Sequence, residues 1–424
     1  MDHVSICPFC FLQLPIAQLE SHANSHFEDE QVEADLELAK EISLASSVSP
    51  FHSADTAVVF DERLSSRCEI SIDCRGMNVD EKFLCLRDLQ VKESFYEVND
   101  GLIDLLRTRL ELDYGYSTSL LSGYVDHIQS AKSEAAGWGC GWRNIQMLSS
   151  HLIKQRREAR EVLFGGCGFV PDIASLQRWL ELSWEKGFDT PGSEDFDRKI
   201  YGKRSWIGTA ECATLFRSFG IRARIVDFCS KELASKTSFP HLSHGEGRIE
   251  VCTVNNKLQV NGPMDKYISR GDCSTSLAGS SGKWKPNHHL TNSGKLKGQH
   301  SLIDWVWSYF SDNRSIQLNK NQVIASEKPP LYFQHNGHSR TIVGIQATSQ
   351  RKGGQQYNLL IFDPAHITQD LERSLKDRGW QALIKRGVHT LQKPHYQICY
   401  IDPGIAGAEE MEGLKTLTSV RFEY

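Results

Sequence analysis

The stretch Gly137-Trp138-Gly139-Cys140-Gly141-Trp142 restricts this chain more than any other. Glycines at alternate positions weaken any regular element, since each frees the backbone and leaves nothing to pack. Directly after them Ile145, Leu148 and Leu152 recur at helical spacing. The segment therefore reads as a tight turn that delivers Cys140 to the start of a helix. Two readings fit a cysteine there: a small core residue at a glycine turn, or a nucleophile on display. The positive end of a helix dipole lowers a thiol's pKa, and the free N–H groups of the first turn can line an oxyanion hole. The glycines leave room for a substrate chain, and Trp138 and Trp142 can wall a narrow slot.

A thiolate nucleophile needs a base and a group to orient it. The second half of the chain supplies both types. "PPLYFQHNGHSRTIVGIQAT" and "YNLLIFDPAH" read as two adjacent buried strands, with His338 at the mouth of the first and Asp363 at the end of the second, before a proline. Neighbouring strands would hold the imidazole and the carboxylate side by side, with the Cys140 helix docked against them.

The remainder of the body alternates longer elements. "GLIDLLRTRLELDYG", "DIASLQRWLELSWEKG", "AECATLFRSFG" and "SLIDWVWSYF" have helical periodicity, and "IRARIVDF" and "HYQICYID" read as strands. Helices followed by a terminal group of strands give an α+β class, with the sheet assembled largely from the second half. This domain is expected to span 95–424. A Gly-, Ser-, Lys- and Asn-rich stretch at 261–300 reads as a mobile insertion, and His288 and His289 within it as solvated.

The first fifty residues differ in character. Cys7-x2-Cys10, then His22-x3-His26, suit the tetrahedral ligand set of a structural zinc ion. Residues 1–28 are thus expected to form a C2H2-type finger holding Zn2+. DNA-reading fingers come in arrays with basic helices, whereas "IAQLESHANSH" has no Lys or Arg and an acidic run follows. A protein-binding finger fits better. Residues 29–47 are expected to form an amphipathic helix in which Val32, Leu36, Ala39 and Ser43 would share one stripe. Acidic cluster, large apolar residue, Ala and Ser in that order resemble the ubiquitin-interacting motif. Residues 48–94 read as a Ser-rich linker and a segment holding a short strand and a loop.

Bulk properties narrow the class further. A length of 424 residues suggests two or three folding units. The net charge of -5 excludes a protein built as a whole to coat nucleic acid, and a local basic patch stays open. No window approaches the roughly 20 apolar residues of a membrane span, and "MDHVSICPFC" does not read as a signal peptide. The expectation is a soluble intracellular protein with no membrane partner. Its 12 cysteines are irregularly spaced and read mostly as reduced thiols.

Four separated motifs, "GWGCGWRNIQML", "IYGKRSWIGTAE", "PLYFQHNGHSRTIVGI" and "LLIFDPAH", together resemble the ubiquitin-fold-modifier-specific peptidase family. Within it they are most similar to the zinc finger-containing ubiquitin peptidase branch, which also carries a finger and a ubiquitin-interacting helix. The resemblance covers about residues 95 to 424. It implies a papain-like cysteine protease fold with Cys140 as nucleophile, His338 as general base and Asp363 orienting the imidazole. It also implies hydrolysis of isopeptide bonds in polyubiquitin, selectivity for extended non-degradative chains, residence in nucleus and cytoplasm, and a link to genome maintenance. Catalysis would need no cofactor.

Leu36, Ala39, Ser43 and Glu211 are the expected ubiquitin contacts, although a structural ion pair fits Glu211 equally. His366 and His335 are the alternative bases, and His127 or Gln129 lies near the family's oxyanion position. Two rival functions remain: a protease for the ubiquitin-fold modifier, and an inactive ubiquitin-binding adaptor.

Overall fold

Asn78-Val79-Asp80-Glu81 opens the first helix of the body. The Asn78 side chain accepts from the Glu81 amide at 2.9 Å and the Glu81 carboxylate accepts from the Asn78 amide at 2.9 Å, a reciprocal cap that starts α1 (Val79–Leu89). Val79, Phe83 and Leu86 then turn inward, with Phe83 edge-on to Trp179 at 5.1 Å between ring centroids. A strand and a loop were the expectation here. The capping pair overrides it, and packing of the body begins ahead of residue 95.

The computed structural model describes residues 4–6, 13–15, 77–113, 117–229, 297–312, 322–335, 337–349, 354–391 and 393–423. Cys7, Cys10, His22, His26, Leu36, Ala39 and Ser43, and residues 261–296 of the insertion, lie outside the described residues. Strands β1 (Val4–Ile6) and β2 (Gln13–Pro15) pair antiparallel as a two-stranded sheet of their own.

Five helices of the body fall where the apolar periodicity puts them: α2 (Leu102–Glu111), α3 (Cys140–Gln155), α4 (Ile173–Glu185), α5 (Thr209–Arg217) and α6 (Lys297–Ser311); α7 (Thr368–Lys376), beyond the Asp363 turn, is not among the expected helices. Asp172 caps α4 by accepting from the Ser175 amide, and α5 ends before Gly220, whose φ of 78° suits the residue that lacks a Cβ.

A nine-stranded mixed sheet runs β11-β4-β10-β6-β7-β3-β5, with β8 on the other edge of β7 and β9 beyond it. Its strands are β3 (Ser117–Leu121), β4 (Ile221–Cys229), β5 (Gln322–Ala325), β6 (Leu331–His335), β7 (His338–Ser349), β8 (Gln355–Phe362), β9 (Lys385–Gly387), β10 (His395–Ile405) and β11 (Ser419–Glu423). The stretch from Leu331 to Ser349, read above as one strand, is a hairpin: Leu331 faces Ile342 and His335 faces His338. The Asn-Gly pair at 336–337 is the sequence signal for it, and Gly337 adopts φ 77°. β7 and β8 are neighbours as expected, with Thr341 opposite Phe362.

Helix α3 is enclosed on all sides, and every residue from Gly141 to Leu152 is buried. Trp142, Ile145, Leu148 and Leu152 join α4 and α5 in one hydrophobic cluster, whereas Met147 faces a second with α2 and β8. A third cluster packs α6 against the opposite sheet face through Leu302, Ile303, Val306 and Phe310. Several buried polar side chains on α3 find partners on other segments, while Arg143 Nε and His151 Nε2 have none among the described residues. Gln146 donates to Pro171 O at 2.7 Å and to Glu93 at 2.8 Å, and Arg143 pairs with Glu93 at 2.8 Å. Among the described residues no helix is long and apolar enough to cross a membrane.

Candidate active site

Cys140 is the first residue of α3 and is half-buried, while Gly139 precedes it as an N-cap with no side-chain cap. The first-turn N–H groups are therefore not consumed by a capping side chain. Each glycine has a steric reason. Gly137 has φ 79°, in the left-handed region. A Cβ on Gly139 would lie 2.4 Å from Ala135 Cβ. One on Gly141 would lie 2.7 Å from the Ile207 carbonyl oxygen and 2.9 Å from the Tyr332 hydroxyl. Gly141→Ala is expected to push the helix N-terminus off the sheet. It should lower stability by about 1–3 kcal/mol and slow Cys140 chemistry by roughly 100-fold, checked by urea unfolding and by the alkylation rate of Cys140.

The helix start is tied to the sheet by a short chain of hydrogen bonds. Thr341 on β7 donates to Asn144 Oδ1 at 2.7 Å, and Asn144 Nδ2 donates to Cys140 O at 2.8 Å. Tyr332 on β6 donates to Ile207 O at 3.2 Å, beside Gly141. Trp206 donates to Gly137 O at 2.9 Å.

Trp142 does not wall a slot. It is 0% exposed and sits in the core cluster, because a residue two places along a helix from Cys140 points away from it, into the body. Half-buried Trp138 and Trp206 flank the turn instead.

His338 begins β7, half-buried at the rim of the sheet, its ring 6.0 Å from that of His335. Strand alternation puts Tyr332, Gln334 and Thr341 toward α3, and His335, His338 and Arg340 on the other side of the hairpin. Asp363, 5% exposed, follows β8 on that second side. Its Oδ2 takes an ion pair from Arg340 Nε, and its Oδ1 accepts from the Ala365 amide at 3.0 Å. Burial alone would raise this carboxyl. The Arg340 and His366 charges and the Ala365 N–H outweigh it and hold the carboxyl far below the ordinary range.

Arg340 also donates to His335 Nε2 at 2.7 Å. Burial, then the Arg340 charge, drive the His335 pKa well below normal, so this ring is neutral with its acceptor nitrogen occupied. That removes it from the candidate bases. His366 lies close to Asp363, its amide donating to Asp363 O at 3.0 Å.

Neither expected oxyanion donor is available. His127 is 2% exposed, with Nδ1 at 2.8 Å from Thr368 Oγ1 and Nε2 at 2.9 Å from Asp363 O. Burial lowers its pKa to about 4. Gln129 donates to Ala131 O at 2.9 Å and accepts from the Thr368 amide at 2.8 Å. Both brace the turn after β8, because a segment running beside exposed main chain is consumed by it.

Glu211 does not reach a substrate tail. It is 1% exposed, and its Oε2 accepts from the Gly208 amide at 2.7 Å, closing the N-terminus of α5. It has no ion-pair partner among the described residues, so the structural alternative takes the form of a cap. Burial, only partly offset by the Gly208 N–H, raises its pKa to about 7. The family motif and the cap share one residue, and spacing cannot separate a buried carboxylate from an exposed one.

Gln334, which the sequence reading does not single out, stands close to the start of α5. It is 7% exposed on the α3 side of β6, and its Oε1 accepts from the Thr209 amide at 3.0 Å. A polar residue at alternating strand position next to Tyr332 was its only sequence signal.

A cysteine at the start of an enclosed helix, docked on a mixed sheet with histidines and a buried aspartate at its rim, defines a papain-like cysteine peptidase fold. The chain belongs to peptidase family C78, whose sequence profile matches residues 116–245 and 264–399. It is 30% identical over 293 residues to zinc finger-containing ubiquitin peptidase 1 of Bos taurus, covering 68% of this chain and 38% of that protein. It is 35% identical over 120 residues to ubiquitin carboxyl-terminal hydrolase mug105 of Schizosaccharomyces pombe, covering 28% of this chain and 48% of the relative. Over 76 residues it is 38% identical to probable Ufm1-specific protease 1 of Drosophila melanogaster, covering 18% of this chain and 25% of that protein. The chain thus spans well under half the length of the zinc finger-containing peptidases it matches.

Proposed function

We propose that this chain is a deubiquitinating thiol protease that hydrolyses isopeptide bonds in polyubiquitin. The supporting observation is the placement of Cys140: half-buried at an uncapped helix N-terminus, and tied through Asn144 and Thr341 to the strand that begins with His338. The Cys140 thiolate attacks the carbonyl carbon of the ubiquitin C-terminal glycine. The tetrahedral oxyanion is met by first-turn N–H groups and by the Gln334 Nε2 donor, whose carboxamide is oriented by Thr209. His338 starts β7 at the rim, on the face away from α3, so its ring must reach over that rim; from there the imidazolium passes its proton to the departing lysine amine, leaving a thioester. His338 then takes a proton from water, whose oxygen displaces the sulfur and frees the ubiquitin carboxylate.

Asp363, ionised and on the same side of the hairpin, favours the imidazolium. A glycine-ended tail suits a passage between Trp138 and Trp206. The relatives named for ubiquitin support this substrate over the modifier, and residues 29–47 and the finger would engage further ubiquitins of an extended chain, raising its local concentration.

Propargyl-tailed ubiquitin and the propargyl-tailed ubiquitin-fold modifier, offered in parallel, test the reading. Adduct formation with ubiquitin alone is expected. Reaction with the modifier alone reassigns the substrate, and reaction with neither leaves an inactive adaptor. His338→Ala is expected to cut turnover by roughly 100- to 10,000-fold. A comparable loss in His366→Ala with His338→Ala active would move the base to the turn after Asp363.

A further inference from the structure

We infer that Trp206 is a positioning residue that holds the nucleophile turn and the histidine hairpin at a fixed separation. This rests on the reading of Cys140 and His338 as a reacting pair. The indole touches both segments. Its Nε1 donates to the carbonyl of Gly137, three residues ahead of Cys140, at 2.9 Å. On the other side Gly337, the residue before His338, lies against the ring, where a Cβ would come within 3.2 Å of Cζ3 and 3.6 Å of Cε3.

Gly137 and Gly337 have φ of 79° and 77°, and both sit in turns rather than in regular elements. Gly337 lies in the turn closed by the His335–His338 pair, and Gly137 in the turn held by the Trp138 and Gly139 amides on Ala135 O, so each is fixed within its own segment and neither local bond sets the distance between the two. Glycine's freedom lets each reach its conformation, and the same freedom leaves each segment in need of an outside brace.

Trp206 itself stands on fixed ground. Ser205 O accepts from Trp142 at 3.3 Å, Ile207 O accepts from Tyr332 at 3.2 Å, and the Gly208 amide is held by Glu211 at 2.7 Å. The backbone on both sides is thus bonded to α3, β6 and α5, whereas the indole is half-buried and belongs to none of the three hydrophobic clusters. Its Nε1 bond goes to the nucleophile turn and its ring edge to the hairpin turn. Misplacing a reacting group by about 1 Å costs on the order of 100-fold in rate, so a brace at this point acts on turnover.

Trp206→Ala removes both contacts, and Trp206→Phe keeps a ring against Gly337 while deleting the N–H to Gly137. The expected result on a fluorogenic ubiquitin substrate is a fall in kcat of about 100-fold for alanine, with partial rescue by phenylalanine and KM within threefold of wild type. Alkylation of Cys140 by iodoacetamide at pH 7, followed on its own peptide by mass spectrometry, should slow at least fivefold in the alanine variant. The alkylation arm needs no ubiquitin. If wild type ignores ubiquitin substrates yet Trp206→Ala slows alkylation, the substrate reading fails and the brace stands.

A rise in KM with kcat unchanged would make Trp206 a groove wall and overturn the inference. So would unchanged kcat and alkylation in either variant. Should the alanine variant unfold, the phenylalanine variant decides: native-like urea unfolding with reduced kcat supports the brace, and wild-type kcat refutes it.

Discussion

Cys140→Ala is expected to abolish adduct formation with a propargyl-tailed ubiquitin probe and to lower hydrolysis by roughly 10,000- to 1,000,000-fold, the loss seen when a protease nucleophile is removed. Stability should stay within about 0.5 kcal/mol of wild type. The two readings of this cysteine part at that point. A structural thiol earns its place by packing, so truncating it leaves a void and destabilises the fold. Cys212, Cys229 and Cys399 are of that kind, each 0% exposed. Cys140 is half-buried, absent from all three hydrophobic clusters, and set between two glycines that let neighbouring backbone approach closely. Urea unfolding and probe labelling of the same variant separate the cases. Large destabilisation with hydrolysis retained would return Cys140 to the core.

The second large effect is expected at Arg340. Arg340→Met leaves Asp363 buried at 5% exposure without its cation, an arrangement that costs about 3–5 kcal/mol. The pH dependence gives the signature. In wild type the folded-state pKa of Asp363 is depressed, so the group contributes stability above its unfolded value and loses it as pH falls toward the folded one. In the variant, burial acts unopposed by Arg340 and the folded pKa rises. The deficit is then largest at neutral pH and shrinks as pH falls through the raised folded pKa of the variant, where its native state takes up a proton that the wild-type native state does not. Urea midpoints at pH 7 and pH 4 check this, with Asp363→Asn added to close a double-mutant cycle. An equal deficit at both pH values would mean that Arg340 acts through packing alone. Loss of Arg340 also removes the donor to His335 Nε2 and the charge that helps hold that ring neutral, so His335 should titrate at higher pH in the variant.

Local pattern carried much of this fold. Apolar spacing placed α2, α4 and α5, and β-branched alternation placed β4 and β10, because those periods follow from burying one face of a helix or strand. What escaped were features where a second signal competes. The hairpin at Leu331–Ser349 has two strands of like composition that read as one, and α1 rests on a capping pair, Asn78 and Glu81, rather than on apolar spacing. Side-chain direction failed at Trp142, where the tryptophan's closeness in sequence to Cys140 concealed a half-turn rotation into the core.

The sequence by itself determined that Cys140 starts a helix behind a glycine turn, that His338 begins one strand and Asp363 follows its neighbour, and that the chain shares its motifs with one peptidase family. Those properties follow from residue type and spacing, which are local. Only the tertiary structure decided that Arg340 holds Asp363, that His127, Gln129 and Glu211 are spent on main-chain amides and carbonyls, and that Trp206 joins two segments 200 residues apart. Hydrogen-bond partners and burial depend on which distant backbone arrives beside a side chain, and no period in a single sequence encodes that arrival.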